Sequence, residues 1–159
     1  MEHKRLSYLL MAAGAVAAAG LSAVFLGILP ALGGEMREMY PEMAGWYWPA
    51  LICLWVIFAL YMTAMAFYFA ICRRIGKDRS FCRENERALF RISQALFCAA
   101  GLWLLGAGAW LMPNGLMGPM WLYLILMALA SGAMGCLAYA LARLIGRAVA
   151  LQEENSLTI

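Results

Sequence analysis

Apolar residues run along this chain in four long blocks, at 6–32, 48–72, 95–112 and 121–142, and all the charge falls outside them. Each block is continuous rather than alternating, which argues against strands and for helices that are apolar all round. A helix needs roughly 20 residues at about 1.5 Å each to cross about 30 Å of hydrocarbon. The third block is the shortest, and Ala88, Leu89, Phe90 and Ile92 extend it backward. The pattern therefore predicts an all-α integral membrane four-helix bundle, one domain over 1–159, with spans near 6–32, 48–72, 88–112 and 121–142.

Composition sharpens this, because 65% of the residues are hydrophobic and only 13% charged, too little polar surface to wrap four such helices in water. The first block follows Lys4 and Arg5 and holds small residues at Ala17 to Ala19, the pattern of a signal peptide. It then runs on through Val24, Phe25, Leu26, Ile28 and Leu29, too long for a signal core, so an uncleaved first span is expected.

Charge sets the orientation. Lys4, Arg5, seven basic residues in the loop 73–91 and Arg143 and Arg147 make eleven on one side, against Arg37 alone on the other. The positive-inside rule puts both termini, the 73–91 loop and the 143–159 tail in the cytoplasm. Trp46, Tyr47 and Trp48, with Trp110 and Trp121, anchor the outer boundary, and Pro113-Asn114-Gly115 makes the second outer turn tight.

The four apolar cores contain no Asp, Glu, Lys, Arg or His. Pumps, coupled transporters and channels rely on such groups within the membrane, and so do intramembrane acids, bases and metal ligands. The expectation is a non-enzymatic protein without metal or cofactor. Cys53, Cys72, Cys82, Cys98 and Cys136 show no Cys-x-x-Cys spacing and read as packing thiols. Met36, Met39, Met43, Met112, Met117 and Met120 collect at the outer side, where apolar padding is a better account than a soft-metal site. Ala128, Gly132, Cys136 and Ala140, four residues apart, offer a close-approach row on span four, for internal packing or a homo-oligomer face.

Function must then be sought on the cytoplasmic side. Gly76 to Arg79 forms a turn, and Ser80 can cap a helix whose face carries Phe81, Asn85, Ala88, Leu89, Ile92 and Leu96. Arg83, Arg87 and Arg91 form a basic row beside it, suited to anionic lipid. Glu84 and Glu86 interrupt that row and no aromatic platform accompanies it, so no direct contact with nucleic acid is expected. Asn85, an amide on an apolar face, needs a partner, and the tail is one candidate. Leu144, Ile145, Ala148, Val149 and Leu151 extend span four as an amphipathic helix, so spans three and four both reach into the cytoplasm.

Gly76-x-x-x-x-Phe81-x-x-x-Asn85 followed by an apolar helix, with the ending Leu151-Gln152-Glu153-Glu154-Asn155-Ser156-Leu157-Thr158-Ile159, resembles the bacterial family called domain of unknown function 2975. Ser156 departs from that pattern, standing where Asp is common. The resemblance covers essentially the whole chain and implies a small four-helix protein of the bacterial inner membrane. It also implies a gene neighbour, a small helix-turn-helix regulator of the Cro and phage-repressor type. The functional expectation is a regulatory membrane protein that docks such a regulator through the 73–91 loop and the tail. Phe81, Arg83, Asn85, Arg87, Arg91, Glu153, Glu154, Asn155, Leu157, Thr158 and Ile159 are the expected contact or local-packing residues. Two alternatives stand beside it. The tail folds back onto Asn85 to close the bundle, or an aromatic cavity among Trp55, Phe58, Tyr61, Trp103 and Trp110 binds or exports a small apolar compound, with Thr63, Ser93 and Gln94 as its polar groups.

Overall fold

Pro30 shapes the first span. Proline lacks an N–H, and its ring crowds the carbonyl four residues earlier, so an unbroken α-helix cannot pass through it without adjustment. The adjustment is a π turn: α1 (Glu2–Ala23) leads into a wider segment, Val24–Ile28, before α2 (Leu29–Met39) resumes. Leu29 N–H bonds the Val24 carbonyl, five residues back rather than four. Within this turn Phe25 is buried against the rest of the protein.

The structure is a computed structural model that describes the backbone of residues 2–77, 82–114 and 120–157, with side chains there except at 2–4, 43, 110–114, 120, 153 and 155–157. A 3-10 segment, Pro41–Trp46, follows α2 and leads into α3 (Tyr47–Ile75). Then come α4 (Arg83–Asn114) and α5 (Met120–Leu157). The expected outer segment at 33–47 is thus mostly helical, because α2 carries the first span on to Met39.

Four helical stretches are long and apolar enough to cross a membrane: Arg5–Met39, Ala44–Ile75, Arg83–Ala109 and Trp121–Gln152. The all-helical, multi-pass membrane expectation is met, and the helices outrun the predicted spans. At about 1.5 Å per residue, the 38 residues of α5 reach roughly 57 Å, almost twice the hydrocarbon thickness.

The spans pack in chain order: α1 against α3, α3 against α4, and α4 against α5. Among the described residues α1 and α5 make no close backbone approach. Central α4 therefore buries two sides, and its small residues Ala88, Ala95, Ala99, Ala100 and Ala107 are all inside. The facing seam on α5 is equally small: Ala128, Ser131, Gly135, Ala138 and Ala142, spaced three and four residues apart. Small side chains let backbones approach in lipid, where packing contacts replace water expulsion as the driving force. Gly135 makes the need explicit, since a Cβ there would lie 3.2 Å from the Phe97 ring of α4.

All four spans meet at one aromatic centre. The Phe25 ring stacks on Phe58 at 5.7 Å between centroids, meets Tyr61 edge-on at 5.8 Å, and lies 6.4 Å from Trp103. A directed hydrogen-bond chain runs through it. Ser131 commits its one proton to the Met127 carbonyl at 2.8 Å, so Tyr61 O–H donates to Ser131 Oγ at 2.6 Å. Tyr61 oxygen in turn accepts Trp103 Nε1–H at 2.9 Å. The chain ties α3, α4 and α5 together in the part of the molecule with no water to satisfy these groups.

Candidate docking surface at the charged end

One end of the molecule gathers the start of α1, the end of α3, the start of α4 and the last turns of α5. Ser7 Oγ donates to the Cys72 carbonyl at 2.7 Å, and Gly76 N–H shares that carbonyl at 3.2 Å as α3 closes. A side chain at Gly76 would begin 2.9 Å from Ser7 Oγ, so this glycine admits α1 against the end of α3. Tyr68 reinforces the contact by donating to the Leu10 carbonyl at 3.0 Å.

The next contacts join the end of α3 to the start of α4. Arg74 Nε lies 3.2 Å from Glu84 Oε2, and one terminal nitrogen donates to the Glu84 carbonyl at 3.4 Å and to Asn85 Oδ1 at 3.3 Å. Asn85 is only 1% exposed, so its amide belongs to the fold and not to the surface. One partner of this amide is the end of α3. The Cys82 carbonyl begins α4 by accepting from Asn85 N–H at 3.0 Å and Glu86 N–H at 3.3 Å.

α4 and α5 meet here through a pair that the motifs do not contain. A Cβ on Gly146 would lie 2.6 Å from Glu86 Oε1, so the Glu86 carboxylate is seated directly on the α5 backbone. A glycine inside an otherwise helical stretch is the sequence sign of such an approach. Phe97 over Gly135, Phe90 beside Tyr139 at 6.1 Å, and Glu86 over Gly146 set one antiparallel register. Carried further, that register brings Val149 and Ala150 level with Cys82 and Arg83. α5 then continues past the start of α4 to Leu157, about 10 Å of helix at 1.5 Å per residue. The tail as far as Leu157 extends span four and does not turn back.

The expected contact residues separate accordingly. Arg83, Arg87 and Arg91 are exposed, and Arg91 stacks over Phe67 of α3 with its guanidinium carbon 5.4 Å from the ring centroid. Glu154 is exposed on the last turns of α5. Glu153, Asn155 and Leu157 lie on the same helix, with side chains outside the described set, and Phe81, Thr158 and Ile159 are outside the described residues altogether. Two residues of the recognised motif thus have structural work: Gly76 admits Ser7, and Asn85 holds Arg74.

At the expected aromatic cavity, Phe58, Tyr61 and Trp103 pack with Phe25, and Tyr61 and Trp103 spend their polar atoms on each other and on Ser131. Trp55 is exposed, the side chain of Trp110 lies outside the described set, and Thr63 bonds its own helix at the Ala59 carbonyl. A depression along Arg5, Tyr8, Leu9 and Ala12 of α1 is open. On α5 the four-residue row winds around the helix: Ala128 is inside, whereas Cys136 and Ala140 are outside.

Residues 31–159 match the family model described as "Protein of unknown function (DUF2975)". The chain belongs to this family. The match begins within α2, just past Pro30, and takes in α3, α4, α5 and the whole charged end except the start of α1. No curated protein and no solved structure matches this DUF2975 member.

Proposed function

We propose that this DUF2975 protein is a regulatory anchor of the bacterial inner membrane whose charged end docks a small cytoplasmic helix-turn-helix regulator. The observation that carries the reading is the α4–α5 hairpin beyond the aromatic centre. The close approach of Glu86 to Gly146 sets the basic start of α4 beside the projecting end of α5 as one surface. Exposed Arg83 and Arg87 on one helix and Glu154 on the other give that surface both signs of charge, which favours specificity for a protein over a uniform anionic polymer. The eleven-to-one distribution of Lys and Arg supports a cytoplasmic location for this end. The absence of ionisable residues from the four apolar cores supports a scaffold over a pump or an enzyme.

Co-isolation tests the reading. The full-length protein, solubilised with the regulator encoded beside it, is expected to retain that regulator, and a chain lacking 153–159 is expected to lose it with an unchanged unfolding midpoint. Retention by the truncated chain and by an Arg83→Glu/Arg87→Glu variant together would remove the proposed surface from the account.

A further inference from the structure

Two basic rows open on the same side of the α4–α5 hairpin. Arg83, Arg87 and Arg91 follow one another at four-residue steps on α4, and Tyr139, Arg143 and Arg147 do so on α5. The Phe90 and Tyr139 rings, 6.1 Å apart, mark the side on which the rows meet. Arg87 lies about 60° around α4 from Phe90, and Arg143 about 40° around α5 from Tyr139, both turned away from the packed seam. In the register fixed by Glu86 over Gly146 and Phe97 over Gly135, Arg87 stands about level with Arg143. Arg91 lies about one turn to one side of this pair and Arg147 about one turn to the other, so the four occupy about 10 Å along the hairpin.

All four arginines are exposed, and among the described residues none of them forms an ion pair. Glu84 is taken by Arg74, and Glu86 lies in the seam against Gly146. Two of the four are held on aromatic rings. The Arg143 guanidinium carbon is 5.5 Å from the Tyr139 centroid, and its Nε donates to the Tyr139 oxygen at 3.2 Å, which leaves both terminal nitrogens open to a ligand. Arg91 is held over Phe67 of α3 at 5.4 Å. Ordering of this kind reduces the rotamer freedom that a ligand would otherwise have to remove. Of the twelve basic residues in the chain only Lys4 and Lys77 are lysine, so the array is built wholly from planar forks that grip a phosphate through two parallel bonds.

Depth selects the ligand. Counting roughly 20 residues from Trp121 puts the hydrocarbon edge near Leu141, and the headgroup layer extends about 5–7 Å beyond it. At about 1.5 Å per residue Arg143 stands about 3 Å past that edge and Arg147 about 9 Å, with Arg87 between them and Arg91 at the edge itself. A soluble polyanion would have to enter the headgroup layer to reach Arg91, whereas a lipid phosphate already stands there. We propose that Arg87 and Arg143, level on the open side of the hairpin and flanked by Arg91 and Arg147, bind the phosphate of an anionic phospholipid. Basic sites between membrane helices hold such headgroups through the same chemistry. The recognised property is net negative charge, since a choline lipid carries the same phosphate together with a cation that the arginines repel. The proposal does not rest on regulator docking, and because Arg87 borders both surfaces the test leaves it in place.

Native mass spectrometry of the full-length protein in a neutral detergent tests this, with phosphatidylglycerol and phosphatidylcholine of identical acyl chains as probes. Wild type is expected to bind phosphatidylglycerol about tenfold more tightly than phosphatidylcholine, and Arg143→Gln/Arg147→Gln to lose about tenfold in phosphatidylglycerol affinity. Arg73→Gln/Lys77→Gln removes two charges from the same end outside the array, and is expected to bind within about twofold of wild type. Equal wild-type affinity for the two lipids overturns the proposal. So does an equal loss in both variants, the result of charge attraction without a site. A large excess of inorganic phosphate is expected to leave phosphatidylglycerol bound, and displacement would identify a site for a free anion in place of a lipid. The two wild-type measurements decide the matter even where a variant fails to fold.

Discussion

Tyr61→Phe tests how the spans are held at their centre. The substitution removes one oxygen and leaves the ring, so packing against Phe25 and Trp103 is preserved while two hydrogen bonds go, at 2.6 and 2.9 Å. Their losses are unequal. Ser131 keeps its own donation to the Met127 carbonyl at 2.8 Å and loses only an incoming bond. Trp103, 7% exposed, is left with an N–H that neither protein nor water can satisfy. An orphaned buried donor costs about 1–3 kcal/mol, and hydrogen bonds within membranes average only about 0.6 kcal/mol because the unfolded chain in lipid also finds partners. Together these give an expected loss of about 1–2 kcal/mol. Reversible unfolding in mixed micelles, followed by circular dichroism, measures it. The control is Thr63→Val, which deletes a hydroxyl bonded only to its own helix and exposed, with an expected cost below about 0.5 kcal/mol. A Tyr61→Phe variant no less stable than Thr63→Val, with no coupling to Ser131→Ala in a double-mutant cycle, refutes the chain as a stabilising tie.

Further predictions concern the close approaches. Gly14→Ala would set a Cβ 2.6 Å from the Tyr68 ring and 3.1 Å from the Phe69 ring, and overpacking against rings is expected to cost about 1–3 kcal/mol in the same unfolding assay. Gly146→Ala meets only the end of the flexible Glu86 side chain. Helix propensity then outweighs the clash, and stability is expected to rise by up to about 1 kcal/mol as Glu86 swings out. Asn85→Ala removes a 1% exposed amide that holds Arg74. It is expected to destabilise by about 1–3 kcal/mol and to accelerate proteolysis after Lys77, a readout of a loosened α3–α4 turn.

How much of this was legible in the sequence depends on which physical signal each feature leaves. A continuous apolar run of roughly 20 residues is a strong signal, so all four spans were readable, as was the extension of α4 and α5 beyond them. The helical course of 33–47 was not, because Gly33, Gly34 and the charges of Glu35, Arg37 and Glu38 read as loop while α2 simply continues through them. The mutual arrangement of the spans was also hidden. A helix apolar on every side has no moment to declare its packed face, so nothing in the pattern paired Tyr61 with Ser131, 70 residues apart. Asn85 was readable as a satisfied amide, since a polar group on an apolar face demands a partner. The choice of Arg74 came only from the turn that brings α3 to α4. Glu86 and Gly146 were overlooked because an acidic residue among arginines looks like surface charge, and only the antiparallel register seats it on a glycine.

The account's central claim is that the charged end, and not the spans, carries the function. Transcript levels of the target genes of the proposed helix-turn-helix partner test it most directly, compared among cells with the wild-type chain, the chain lacking 153–159 and no chain. The account predicts that truncation and complete loss shift those transcripts equally, while Tyr61→Phe, which weakens only the centre, leaves them near wild type. Transcripts unchanged by complete loss, or changed by complete loss and restored in full by the truncated chain, would contradict it.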